Sequence, residues 1–258
     1  AGGKVSEKFA PIAASRGVIV VDNSSQWRMD ETVPLVVPEV NPEDIKKNNG
    51  IISNPNCSTI QAMVPLKPLH DKYKIKRIVY STYQAVSGSG VKGIEDLKNG
   101  LAGNDTTNAY HHPIAGNCIP QIDVFTENGY TKEEMKMINE THKILNDNSI
   151  RVTATTVRVP VFDSHSESVN LEFEKPFKLD ELVGVLKNAK GVVVCDDIKH
   201  NIYPLARDVT GKDEVYVGRI RRDFSVDNGV NLWIVADNIR KGAATNTVQI
   251  AEELLKLL

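Results

Sequence analysis

The chain has 258 residues, 41% hydrophobic and 25% charged, enough for one large soluble domain or two modest ones. A formal net charge of −2 offers no surface for nucleic acid or an anionic membrane, and neither a bilayer-spanning apolar run of roughly 20 residues nor a secretory leader can be read in it. The three cysteines, Cys57, Cys118 and Cys195, are odd in number, far apart and form no CxxC pair, which argues against a disulfide framework or a metal site and for a reducing, cytoplasmic compartment.

The chain opens Ala1-Gly2-Gly3-Lys4 without methionine, and Gly-Gly running into a helical pattern reads like the middle of a domain, so the natural polypeptide is expected to begin upstream. A weakly amphipathic helix is predicted over 4–15. Gly17 to Asp22 then reads as a buried parallel strand, and Val33 to Pro38 as an extended segment whose prolines place it at an edge. This helix-then-buried-strand rhythm belongs to a doubly wound α/β domain. After Asn54-Pro55-Asn56, a turn sequence, a helix starts at Cys57 and its apolar spacing runs to Pro68, which is expected to end it.

From Lys76 the pattern changes. Arg77 to Tyr83 reads as a strand leading into Ser87-Gly88-Ser89-Gly90 and a helix over about 91–102. Thr131 and Glu134 form a capping box for a helix whose apolar face is read as Met135, Ile138, His142 and Leu145. Residues 151–161 and 167–174 alternate apolar and polar, as in a half-buried antiparallel sheet. Lys178 to Lys190 is helical, Gly191 to Cys195 a buried strand, and Val215–Arg221 with Val230–Val235 flank the hairpin-type turn Asp227-Asn228-Gly229. A last helix is expected to share Val248, Ala251, Leu254, Leu255 and Leu258 on one face. This second portion reads as an α+β domain with a mixed or antiparallel sheet.

A cysteine in the first turn of a helix meets free N–H groups and the positive end of the helix dipole, which lower a thiol pKa and can hold an oxyanion. Cys57 is therefore the candidate nucleophile. Among the six histidines, His165 lies in Asp163-Ser164-His165-Ser166-Glu167 between two strand patterns, free to enter a cleft as an acid/base or to bond local hydroxyls. His111 and His112 read as surface residues. Arg158 is isolated among apolar neighbours; strand arginines usually face solvent, and an inward one needs an anionic partner matching its fork. Glu133 and Lys136 share a helix face and by spacing alone form a surface ion pair. Arg28 follows a buried strand at its carboxyl end, where α/β proteins bind ligands. Ser87-Gly88 before a helix could cradle phosphate or be a plain capping loop.

Taken together, Ala1-Gly2-Gly3, Asp22-Asn23-Ser24-Ser25, Ser53-Asn54-Pro55-Asn56-Cys57-Ser58-Thr59, Ser81 to Gly88, Val157-Arg158-Val159-Pro160 with His165, and Asp237 to Ala244 make the chain resemble aspartate-semialdehyde dehydrogenase over essentially its whole length. The resemblance implies an α/β plus α+β architecture. It comprises an incomplete Rossmann-type dinucleotide-binding domain (1–56 and 240–258) and a glyceraldehyde-3-phosphate-dehydrogenase-like catalytic and dimerisation domain (57–239). It implies NADPH-dependent reductive dephosphorylation of L-4-aspartyl phosphate to L-aspartate 4-semialdehyde and phosphate, on the route to lysine, threonine and methionine. Cys57 would carry a thioester, with His165 as general acid/base and Gln84 orienting the acyl group. Arg158 would clamp the substrate carboxylate, Glu133 would meet the ammonium, Arg28 and Lys136 would hold the phosphate, and Asn56 would line the substrate site. Ser87, Gly88 and Asn238 would touch NADP. At least a homodimer is implied, a homotetramer being the alternative, with the antiparallel strands near the interface.

The Gly-rich dinucleotide fingerprint of a Rossmann unit is not found in these residues. The resemblance puts it upstream of Ala1, together with the residues that choose NADP over NAD, so the 258-residue chain alone is expected not to turn over. N-acetyl-γ-glutamyl-phosphate reductase is the nearest alternative, but it usually carries glycine where Asn56 stands. A catalytically silent homologue would not need Cys57, His165 and Arg158 together. A cysteine hydrolase would leave the anion sites at Arg158 and Lys136 unexplained.

Overall fold

The computed structural model describes residues 2–257; Ala1 and Leu258, which figure in the motif and helix readings above, lie outside the described residues. Helix α1 (Gly3–Ala14) leads into strand β1 (Val20–Asp22), which pairs in parallel with β2 (Ile51–Ser53), Asp22 opposite Ser53. The proline-containing segment at 33–38 is extended and largely buried, joined to β2 only by a bridge from Leu35 to Ser53. Ala10, Val33 and Ile51 pack on one side of this small layer, and Val36, Ile45, Ile52 and Ile250 on the other. Strand β1 is only half-buried, because α1 covers its side incompletely.

Asn56 caps helix α2 (Cys57–Tyr73), its side-chain oxygen accepting from Ser58 N at 3.0 Å and Thr59 N at 3.3 Å. The helix passes through Pro65 and Pro68 instead of ending there. Each proline forfeits one helical hydrogen bond, but Ile60, Met63, Val64, Leu66, Leu69 and Tyr73 are all buried against the sheet, and that packing outweighs the loss. Next come β3 (Ile75–Gln84), a 3₁₀ turn over Val86–Ser89, α3 (Gly90–Leu101) and α4 (Lys132–Leu145), the last with its capping box formed between Thr131 and Glu134. The buried face of α4 is not the apolar one read from sequence. Glu133, Glu134, Met137, Glu140, Thr141, Ile144 and Leu145 point inward, and Met135, Ile138 and His142 are only partly covered, because this helix turns a carboxylate face toward the site.

The remaining strands β4 (Arg151–Arg158), β5 (His165–Phe173), β6 (Val192–Val194), β7 (Val215–Asp223) and β8 (Gly229–Ala236) join β3 in one six-stranded sheet, ordered β4-β3-β5-β8-β7-β6. Helix α5 (Leu179–Lys187) and the short α6 (Ala206–Val209) lie between them, and α7 (Thr245–Leu255) closes the chain. The sheet is mixed: β3 runs parallel to β4 and antiparallel to β5. Strands β4 and β5, consecutive in the chain, are not paired with each other, since β3 lies between them. Strand β6 is a half-buried edge, not a buried strand. In α7 the inward residues are Asn246 and Ile250, while Val248 and Leu255 are exposed, so the face read from sequence is rotated away from the core.

Helices α2, α4 and α5 cover one face of the sheet, forming the main core with Ile78, Tyr80, Val169, Leu171, Val217, Leu232 and Ile234. The other face carries Tyr83 and Trp233, their rings 5.5 Å apart, with Tyr203 and Leu205 beside Trp233. The register matters most for function. Gln84 sits opposite Arg158, Tyr83 opposite Ser166, and His165 opposite Ala236, so Gln84, Arg158, His165 and the Asp237-Asn238 segment come out at one end of the sheet. The amino terminus of α2 opens at that same end.

Candidate active site

Cys57 occupies the first position of α2, and Gly242 allows the chain to reach it. A Cβ on Gly242 would sit 2.9 Å from Cys57 Cβ, so only glycine lets the π-helical turn Arg240–Ala244 close over the thiol. Burial pushes the thiol up to about 12 and the nearby Glu133 carboxylate adds to this; Arg158, Arg28 and the Ser58 N–H pull it back only in part. The expected thiolate at a helix start is thus overridden. The group is held as a thiol, because desolvation outweighs the helix terminus.

Glu133 gathers the surrounding polar groups. Its Oε1 accepts from Asn56 Nδ2 at 2.8 Å and from Gln84 Nε2 at 3.2 Å, and its Oε2 from Lys136 Nζ at 3.2 Å. The Glu133–Lys136 pair therefore lies inside the site, not on a solvated surface. Lys136 also donates to Asp123 Oδ2 at 2.9 Å. Burial works against its charge, but Glu133 and Asp123 outweigh this and hold its pKa above the ordinary lysine value. Gln84 is oriented at its other end by Thr82, whose hydroxyl donates to Gln84 Oε1 at 3.0 Å.

Arg28 reaches in from the loop after β1 and is buried. Its Nη1 donates to Glu140 Oε1 at 3.2 Å and its Nη2 to the Asn23 carbonyl at 3.1 Å. The second oxygen of Glu140 accepts from Asn56 N at 2.7 Å, so one carboxylate ties Arg28 to the residue before the nucleophile. Burial raises the Glu140 pKa despite Arg28. Arg158, too, is buried rather than solvent-facing. Its Nη1 donates to Ala85 O at 2.5 Å, its plane lies 5.9 Å from the Tyr110 ring, and its Nε is buried without a partner. It forms no salt bridge with any described residue, and one side of it faces a cavity of about 240 Å³ lined also by Ser89, Tyr110, Gln121 and Asp123.

His165 is the first residue of β5, fully buried, where the sequence suggested a turn. Its Nδ1 accepts the Ala85 backbone N–H at 3.0 Å. A neutral ring with Nδ1 so occupied carries its proton on Nε2, which is buried without a partner. Burial, reinforced by Arg158, holds its pKa well below the ordinary histidine value. A Cβ on Gly88 would meet Arg158 Nη1 at 3.0 Å and His165 Nε2 at 3.3 Å, so the backbone at Gly88 packs closely against the guanidinium and the imidazole with no room for a side chain between them. Ser87 and Asn238 hydrogen-bond to each other beside Gly88, and Asn238 Oδ1 also accepts the Ser164 N–H at 2.9 Å.

The residues singled out from sequence thus converge at one end of the sheet. Sequence reading missed Glu140, whose spacing of seven from Glu133 puts both on one helical face, and Asp123, whose loop gave no pattern. It also missed Gly242, where only the fold shows what the absent side chain permits. His111 and His112 are exposed, as expected.

A mixed sheet with Cys57 at a helix start, His165 and two buried arginines gathered at one end places the chain in the semialdehyde dehydrogenase class. Two family models match the chain: semialdehyde dehydrogenase, NAD binding domain, over residues 1–48, and semialdehyde dehydrogenase, dimerisation domain, over residues 66–241. The chain is 58% identical to an aspartate-semialdehyde dehydrogenase of Aquifex aeolicus, covering 99% of this chain and 78% of that protein. A crystal structure of aspartate semialdehyde dehydrogenase II from Vibrio cholerae, complexed with ASA, superposes with a TM-score of 0.95 at 52% identity, covering 99% of this chain and 78% of that one. A Candida albicans enzyme solved with NADP superposes at 0.77 with 28% identity, covering 98% of this chain and 75% of that one. The chain belongs to the aspartate-semialdehyde dehydrogenase family.

Proposed function

We propose that the constellation around Cys57 carries the family reaction, the NADPH-dependent conversion of L-4-aspartyl phosphate to L-aspartate 4-semialdehyde and phosphate. One observation carries the assignment of roles: a partly buried thiol, an imidazole Nε2 without a protein partner and a guanidinium without a carboxylate partner stand at the same end of the sheet. Arg158, lacking any protein carboxylate partner among the described residues, receives the substrate α-carboxylate in its fork. Glu133 exchanges one of its amide donors for the α-ammonium. Lys136 and Arg28, with Asn56 beside them, hold the phosphate.

Cys57 Sγ attacks the acyl carbon and the C–O bond to phosphate breaks. The thiol proton leaves on the departing phosphate, so the atoms balance without a separate base, which suits a site where His165 Nδ1 is already occupied. The product is a thioester on Cys57, its carbonyl oriented by Gln84. NADPH, when bound, supplies the hydride that reduces the thioester. Ser87, Gly88 and Asn238 would meet its nicotinamide end, because the exposed Gly88 backbone lies directly against His165 with the Ser87–Asn238 pair beside it. His165 Nε2–H hydrogen-bonds to the oxygen that gains charge in the reduction, and collapse of that adduct re-forms the carbonyl and breaks the C–S bond, releasing the aldehyde and Cys57 as a thiolate that regains its proton from solvent. Mixing the enzyme with aspartyl phosphate in the absence of NADPH should label Cys57 as an acyl thioester. Cys57→Ala should abolish both label and turnover with an unchanged fold, and turnover retained by that variant overturns the assignment.

Residues 1–56 and 240–258 are proposed as the dinucleotide-binding unit and 57–239 as the catalytic and dimerisation unit. The dimerisation-domain match supports a subunit that pairs with another copy. The free face of the six-stranded sheet around Tyr83 and Trp233 suits that contact, in a homodimer or as one interface of a homotetramer. The free cysteines Cys57, Cys118 and Cys195 support a cytoplasmic setting. No helix among the described residues is long and apolar enough to cross a membrane.

A further inference from the structure

Beneath the Cys57 and His165 side chains lies a second polar rung with no part in the chemistry above. Residues 165 and 167 of β5 emerge on the same face of the sheet. Residues 57 and 61 of α2, one turn apart, share the face that looks back at them. Gln61 and Glu167 are both wholly buried. Gln61 Nε2 donates to the His165 carbonyl at 3.4 Å. Its Oε1 has no donor, and neither Glu167 oxygen has one. The Gln61 amide is the polar side chain beside the Glu167 carboxyl, and its N–H there favours the charged form but is outweighed by burial. A wholly buried carboxyl with no donor on either oxygen is favoured as the acid, whose O–H can be given to the Gln61 oxygen that likewise lacks a donor.

We propose that Glu167 is a neutral carboxylic acid that positions His165 through Gln61. In this arrangement Glu167 O–H donates to Gln61 Oε1, which fixes the amide so that its N–H groups face the His165 backbone. The chain therefore runs Glu167, Gln61, His165, and sets where the imidazole Nε2–H stands relative to Cys57 one rung above. Burial raises the Glu167 carboxyl well above its ordinary range, in agreement with this state. Neutrality also serves the histidine. A carboxylate two residues along the same strand face would draw a proton onto the imidazole, whereas Arg158 and burial keep it neutral. Tyr80, on β3, is the other titratable group that feels Glu167, and its hydroxyl is engaged with Thr141 at 3.1 Å.

The inference rests on His165 being the hydrogen-bond donor to the reacting oxygen, and its test separates the two. Infrared difference spectra of the natural enzyme near neutral pH should show a protonated-carboxyl C=O band that disappears in Glu167→Gln. A spectrum with only carboxylate bands overturns the neutral state whatever His165 does. Kinetically, Glu167→Gln keeps a donor to Gln61 and should hold kcat and the pH profile close to the parent. Glu167→Leu removes the donor and should lower kcat about tenfold with KM little changed, the scale of one lost buried hydrogen bond. Equal impairment in the Gln and Leu variants, or none in Leu, overturns the positioning role. Should Glu167→Leu fail to fold, Gln61→Leu interrupts the same chain from the helix side, and an unimpaired Gln61→Leu enzyme overturns the role just as directly.

Discussion

Cys57 is held as a thiol, and the side chains that could change this are all within the site. Glu133 raises its pKa and the two arginines lower it, so Glu133→Gln should move the thiol pKa downward. Titrating the free enzyme with an alkylating reagent as a function of pH would read this; an unchanged profile would show that Glu133 does not act on the sulfur. The same substitution should raise KM for aspartyl phosphate through loss of the ammonium partner. Arg158→Lys keeps the charge but loses the fork, and a bidentate contact of this kind is worth on the order of 1–3 kcal/mol, so kcat/KM should fall roughly tenfold to a hundredfold. A KM-dominated loss in steady-state kinetics is the expected form. The place of Cys57 at the start of a capped helix was legible in sequence because a helix cap is local: Asn56, Cys57 and the turn before them are contiguous. The burial of Arg158 was not, because which strand face a guanidinium takes depends on helices that arrive from elsewhere in the chain.

The turn Arg240–Ala244 and helix α2 meet at a contact that admits no side chain. Gly242→Ala would drive a methyl into Cys57 Cβ at 2.9 Å, and both elements are backed by buried groups, including Lys241, whose Nζ pairs with Glu39 Oε2 at 2.6 Å and Asn246 Oδ1 at 3.0 Å. The variant should lose about 1–3 kcal/mol of stability, as overpacked sites do, and most of its turnover. Calorimetry and a thiol-alkylation rate would check both parts, and a variant with normal melting and activity would contradict so close a contact. Element boundaries were mostly readable from caps and turns. They failed at α2, where Pro68 should have ended the helix and tertiary burial prevailed. Inward faces failed at α4 and α7, where amphipathic spacing misled because the true face carries buried carboxylates or an asparagine.

Across the molecule, two buried groups titrate in opposite senses. His165 has a folded pKa well below its ordinary value of 6.5, so the unfolded chain takes up the proton first and stability falls as pH drops below about 6.5. Glu167 has a folded pKa well above its ordinary value of 4.5, so its contribution is present in full below about 4.5 and declines as pH rises above that value. Denaturant melts across roughly pH 5 to 7 should therefore show a shallower acid-side loss for His165→Gln than for the parent, and a melt series with identical slopes would remove His165 as the source. The mixed sheet was legible as a class, but its strand order was not. β3 precedes both of its neighbours in sequence, and local alternation carries no information about which earlier strand will come to lie between two later ones.

The ladder that aligns Gln84 with Arg158 and His165 with Ala236 has a consequence for quality control. Side chains alternate across a strand, so a one-residue slip would carry the imidazole or the guanidinium to the opposite surface while also turning Val169, Leu171 and Phe173 out of the core. A misregistered molecule is therefore at once inert and sticky. Catalytic competence and clearance of faulty copies are read from the same hydrogen-bond ladder, and a half-correct sheet cannot persist as a poor enzyme.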